Sequence, residues 1–153
     1  MKILLLGGTG AMGKYLNKFY SACNENEVYI TSRKKRVSEK SNVHYIEGNA
    51  KSLEFLKLLA QKKWDIIVDF MIYSEQEFEE RIYFLLDITE RYIFLSSARV
   101  YALSDGVLNE ESDRLLDICK DKKYIVTNEY ALEKAREENV LLESGRTNWT
   151  IIR

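Results

Sequence analysis

Proline is absent from the 153 residues, histidine occurs once, cysteine twice and glycine only seven times. Without proline or a low-complexity tract, nothing reads as a rigid linker, and one domain is expected over residues 1–153. A lone His44 and two cysteines far apart in sequence, Cys23 and Cys119, exclude a disulfide framework and a Cys/His zinc cluster. Both cysteines read as core or helix-face residues, and His44 as packed or facing solvent. No apolar run approaches the ~20 residues of a membrane span, and no signal-peptide pattern is present, so a cytoplasmic location and no membrane partner are expected. Charge of one sign is not in excess either: Lys and Arg total 23, Asp and Glu 24. That balance removes any global pull toward nucleic acid, and a partner must be recognised locally.

The scarce glycines are concentrated. Four of the seven stand at Gly7, Gly8, Gly10 and Gly13, directly after the apolar run Ile3–Leu6. That run is too short for a helix and reads as a strand buried on both faces, as in the centre of a parallel sheet. From Ala11 to Cys23, Met12, Tyr15, Leu16 and Phe19 recur at helical spacing. Strand, glycine loop and helix form a unit in which the backbone turns sharply, approaches a ligand closely and presents the free N–H groups of a helix start to phosphate. Gly7, Thr9, Gly10, Ala11, Met12 and Gly13 are its candidate pyrophosphate contacts. The same pattern is also met in a tight turn that binds nothing.

Further along, strands are expected at Glu27–Thr31, Val43–Ile46, Trp64–Met71, Tyr92–Leu95 and Trp149–Ile152, and helices at 52–61, from Ser74 and from Thr127 or Asn128 to about Glu143. Ser74 with Glu77 forms a capping box ahead of the stripe Phe78, Ile82, Leu85 and Leu86. Ser104–Asn109 reads as a turn-rich loop and Glu110–Lys123 as partly helical. Alternating strands and helices of these lengths imply an α/β fold: a doubly wound parallel sheet of about six strands. Ligands on such sheets sit at the carboxyl ends of the strands. At the tip of the second strand an acid would bind a ribose 2′-hydroxyl, whereas this chain has Ser32, Arg33, Lys34, Lys35 and Arg36. A guanidinium fork suits a 2′-phosphate, so Arg33 favours NADP over NAD as cofactor, a solvated basic loop being the other reading.

The fifth strand runs into Ser96-Ser97-Ala98-Arg99, and the last long helix carries Tyr130 and Lys134. Residues four apart share a helix face, so a lysine ammonium can favour the phenolate of a tyrosine whose free pKa is ~10. A serine hydroxyl at the strand tip then holds a substrate oxygen while the phenol moves a proton. Taken alone, Tyr-x-x-x-Lys arises by chance about once in a chain with this many tyrosines and lysines. Its place after the glycine loop and the Ser97 strand tip gives it weight.

The ordered set GGTGAMG, SSARVY, YALEK and WTIIR resembles the extended short-chain dehydrogenase/reductase family of NAD(P)-dependent epimerases and dehydratases, in its N-terminal half. The strand WDIIVDFMIY also resembles an atypical branch that includes the chloroplast stem-loop-binding proteins, some of which handle RNA. The resemblance implies a Rossmann fold with strand order 3-2-1-4-5-6, without the C-terminal region that builds the substrate pocket. It implies a pyrophosphate loop at Gly7, Gly10 and Gly13, adenine contacts at Asn49 and Ala50, and ribose and nicotinamide contacts at Phe70, Met71 and Ile72. It further implies Ser97, Tyr130 and Lys134 as catalytic residues, with Lys134 also on the nicotinamide ribose, and a nucleotide-sugar or similar small-molecule substrate exchanging hydride with the cofactor. Met71 is bulkier than the family's usual alanine, and Arg99 is a cation in the serine loop. Family members dimerise through the helix bearing the Tyr/Lys pair and the helix before the fifth strand; Phe84, Leu132, Val140 and Leu141 would serve that homodimer or else pack on the sheet. Two other functions remain open at this point: a non-catalytic dinucleotide-binding module, and RNA binding through Arg33–Arg36, which the net charge of −1 and the lack of aromatics in that loop disfavour.

Overall fold

Each of Ile3, Leu4, Leu5 and Leu6 is fully buried, and the fold is arranged around that strand. In the computed structural model, which describes residues 1–153, six parallel strands form one sheet in the order β3-β2-β1-β4-β5-β6. They are β1 (Lys2–Leu6), β2 (Glu27–Ser32), β3 (Val43–Glu47), β4 (Trp64–Asp69), β5 (Thr89–Leu95) and β6 (Trp149–Ile152). This is the Rossmann order that the family resemblance implies. Because β1 pairs with β2 on one side and β4 on the other, the chain reverses its direction of winding at β1, opening a crevice at the carboxyl ends of those strands.

The two faces of the sheet are covered unequally. Leu4 and Leu6 join a 17-residue core with α2 (Leu53–Leu59), α3 (Glu75–Asp87) and α5 (Tyr130–Glu143), whereas Ile3 and Leu5 join a 6-residue core packed by α1 (Ala11–Tyr20). Only Leu16 and Tyr20 of α1 reach that smaller core. Met12, Tyr15 and Phe19 are 64%, 71% and 65% exposed, so of the four apolar side chains at helical spacing only Leu16 packs toward the sheet. The reason is Gly13. A Cβ there would stand 2.3 Å from the Gly8 carbonyl oxygen, so the helix presses its Gly13–Leu16–Tyr20 line against the loop and sheet and rolls the larger apolar side chains outward.

Local signals elsewhere hold. The Ser74 hydroxyl accepts from Glu77 N–H at 3.2 Å, and the Glu77 carboxylate accepts from Ser74 N–H at 2.9 Å, completing the capping box of α3. Phe78, Ile82, Leu85 and Leu86 are buried as its spacing requires. The last long helix starts later than expected: Glu129, not Thr127 or Asn128, is the cap, accepting from Ala131 N–H at 2.7 Å, while the Thr127 hydroxyl donates to the Tyr124 carbonyl. A short helix α4 (Leu115–Ile118) is the helical part of the Glu110–Lys123 stretch. Leu132, Val140 and Leu141 are buried by the chain's own packing, so they do not furnish a helix-bundle interface. Cys23 lies exposed in the turn after α1 rather than in a helix or the core. No helix is long and apolar enough to cross a membrane.

Candidate functional site

The glycine loop is set by two contacts. Gly7 adopts φ +70°, and its N–H donates to the Thr31 hydroxyl at 2.8 Å, tying the end of β1 to the end of β2. The loop then enters α1 through Gly10, a cap residue with no side-chain hydrogen bond, and Gly10, Ala11 and Met12 are exposed. The first N–H groups of α1 are therefore open to an anion.

Beside the loop lies a cleft of about 290 Å³ lined by Gly7, Thr9, Thr31, Ser32, Arg33, Gly48, Asn49, Ala50, Lys51 and Met71. It contains two cations and no carboxylate. A second, wholly polar cleft continues from it, formed by Thr9, Ser32, Arg33, Lys34 and Arg36. Ser32 organises this basic loop: it is buried, donates to the Lys34 carbonyl at 2.8 Å and accepts from Arg36 Nε at 3.1 Å. Asn49 is exposed and its amide oxygen accepts from Lys51 N–H. Of Phe70, Met71 and Ile72, Met71 alone lines the cleft; Phe70 packs on the smaller core and Ile72 is exposed. Met71 is tight against the loop, since a Cβ at Gly7 would stand 2.6 Å from its sulfur. Thr31, Gly48 and Lys51 line the cleft without having been singled out from sequence; no motif marks them, because they come from the ends of β2 and β3.

The other candidates gather where β5 meets α5. Ser97 caps a short 3-10 turn, Ala98–Val100, and its hydroxyl accepts from Arg99 N–H at 3.2 Å. The Arg99 guanidinium lies 2.7 Å from Glu129 and 5.7 Å above the ring of Tyr130, which is 37% exposed at the first position of α5. Lys134, one turn further along α5, is buried. It is 2% exposed, its ammonium 3.0 Å from Glu137 and 4.6 Å from the centre of the Phe94 ring. No hydrogen bond joins Ser97, Tyr130 and Lys134 to one another.

A buried polar cluster unseen in the sequence lies beneath them. Asp69, at the end of β4, accepts from Tyr92 at 2.8 Å, Tyr73 at 3.1 Å and Met71 N–H at 2.8 Å. Burial raises its carboxyl above the usual range against these hydrogen bonds, and burial with the Asp69 charge raises the Tyr73 and Tyr92 phenols. The neighbouring Glu138 instead binds Arg114, Arg153 and Ser96, tying the α4 region and the end of β6 to α5. A groove of about 760 Å³ runs along β6 past Tyr101, Leu108, Trp149 and Arg153, away from the glycine loop.

No protein-family profile matches the chain. Among curated proteins it is 27% identical over 166 residues to the chloroplast stem-loop binding protein of 41 kDa b from Arabidopsis thaliana, covering 99% of this chain and 41% of that one. Among solved structures it resembles UDP-glucuronic acid 4-epimerase from Bacillus cereus, in complex with UDP-glucuronic acid and NAD, with a TM-score of 0.73 at 15% identity, covering 100% of this chain and 56% of the epimerase. It resembles alfalfa vestitone reductase with a TM-score of 0.70 at 20% identity, covering 98% and 55%. The chain thus spans about half the length of these enzymes, or somewhat less for the curated relative. By fold it is a Rossmann domain, six parallel strands in the order 3-2-1-4-5-6, the fold it shares with these NAD-dependent epimerases, dehydratases and reductases.

Proposed function

We propose that this chain is the nicotinamide dinucleotide-binding portion of a cytoplasmic epimerase, dehydratase or reductase, that it prefers NADP to NAD, and that its substrate is a nucleotide-sugar or similar alcohol or ketone. The observation that carries the reading is the carboxylate-free cleft between the glycine loop and the ends of β2 and β3, continuous with the Arg33 loop. The residues fit the group: uncapped N–H groups of α1 suit a pyrophosphate, Asn49 and Ala50 line the adenosine side, and Arg33 offers a fork to a 2′-phosphate. When bound, the nicotinamide supplies or accepts a hydride. Ser97 then orients the substrate oxygen, Tyr130 gives or takes its proton, and Lys134 holds the nicotinamide ribose and favours the phenolate. Calorimetric titration with NADPH and NADH tests this. NADPH binding that weakens about tenfold or more in Arg33→Ala, with NADH little changed, is expected; failure to bind either dinucleotide would sink the reading.

A second reading, a binding module without turnover, is favoured by Lys134, whose ammonium is already engaged by the buried Glu137 carboxylate. It expects NADPH binding with no oxidation of NADPH by any nucleotide-sugar or ketone.

A further inference from the structure

The contact that the hydride-transfer reading leaves unexplained is the one between Lys134 and Glu137. Both side chains are buried within α5, one turn apart, with the ammonium 3.0 Å from Glu137 Oε2 and resting on the Phe94 ring of β5. The second oxygen of Glu137 is buried and has no hydrogen-bond partner. The charged and titratable groups facing it are Asp69 from β4, Tyr92 from β5, Tyr73 ahead of α3, and Glu133 and Lys134 of α5; Arg81 of α3 stacks on Tyr73 at 4.4 Å. Asp69 also holds Met71 N–H, so this cluster reaches the wall of the dinucleotide cleft.

Such a pair is poised rather than closed. A buried ammonium shared between one carboxylate oxygen and an aromatic face is held, but not by a full set of acceptors. Drawing it away would leave a buried carboxylate without a counter-charge, a state that a protein relieves by taking up a proton.

We propose that Glu137 is a positioning residue for Lys134: it holds the ammonium in the core, and dinucleotide binding draws Lys134 off Glu137, which then takes a proton from solvent onto its carboxylate. This rests on the reading above, in which Lys134 serves a bound nicotinamide ribose. Burial already pushes the Glu137 carboxyl up to about 7 while Lys134 still opposes that rise, so removal of the ammonium moves it further in the same direction.

The test is calorimetric titration of the whole chain with NADPH, and separately NADH, at pH 8 in buffers of different ionisation enthalpy. Wild type takes up close to one proton per dinucleotide bound, with affinity falling up to about tenfold per pH unit above 8. Glu137→Gln takes up essentially none, and its affinity is flat with pH. Should Glu137→Gln fail to fold, the wild-type buffer series still decides, since binding without proton uptake overturns the proposal. Equal uptake in wild type and Glu137→Gln overturns it as well. In both of those cases dinucleotide binding itself survives, whereas no binding by wild type removes the underlying reading and this inference together.

Discussion

Gly13 and Gly10 stand three residues apart and are glycine for different reasons. A Cβ at Gly13 would meet the Gly8 backbone at 2.3 Å, where nothing can yield, whereas a Cβ at Gly10 would meet nothing within 4 Å. Gly13→Ala is expected to cost about 1–3 kcal/mol in urea unfolding through overpacking, and Gly10→Ala less than about 0.5 kcal/mol. Equal effects would show that the helix does not seat on the loop as described. Glu137 carries a second residue-level expectation. Its carboxyl is raised from 4.5 to about 7 by burial, so the folded state binds the extra proton between those values and loses stability as pH rises through them. Relative to Glu137→Gln, wild type should lose on the order of 3 kcal/mol between pH 4.5 and 8. A parallel pH dependence for the two proteins would contradict the buried charge. Neither Glu137 nor Asp69 is marked in the sequence, because an acid on a helix or at a strand end ordinarily faces water; only the packing of three elements encloses them.

At the scale of elements, signals contained within four residues were readable and those depending on rotation were not. Ser74-x-x-Glu77 satisfies its own backbone groups, so the start of α3 follows from sequence, and Ser74→Ala is expected to cost about 1 kcal/mol in chemical unfolding. The Ser74 N–H also holds the Glu77 carboxyl below its ordinary range; the box is intact at neutral pH and weakens only as pH falls below 4.5 through that lowered value. At α5, Thr127 or Asn128 was the expected start, but the Thr127 hydroxyl is spent on the preceding turn and Glu129 caps the helix. For α1 the period was readable, but which face packs was not, since periodicity cannot tell which side of a helix a glycine contact will choose.

For the whole molecule, a parallel sheet flanked by helices was legible from short apolar strands alternating with helical crossovers, while the strand order 3-2-1-4-5-6 followed from the family resemblance. Half of the cofactor candidates, Gly7, Thr9, Ser32, Arg33, Asn49, Ala50 and Met71, line one cleft because that topology brings the ends of four strands together. Phe70 and Ile72 do not join them, since alternation along the chain after β4 sends successive side chains to different sides. The partner of Lys134 was not legible: helical spacing places Lys134 on the same face as Tyr130, whereas the burial of Glu137 one turn further on, which pairs with its ammonium, is set by tertiary packing. The measurement that bears most directly on the dinucleotide-binding claim is amide chemical-shift mapping by NMR during NADPH titration. Shifts concentrated at Thr9–Met12, Arg33–Arg36 and Asn49–Lys51 are the expected result; shifts absent there, or confined to the groove along β6, would contradict it.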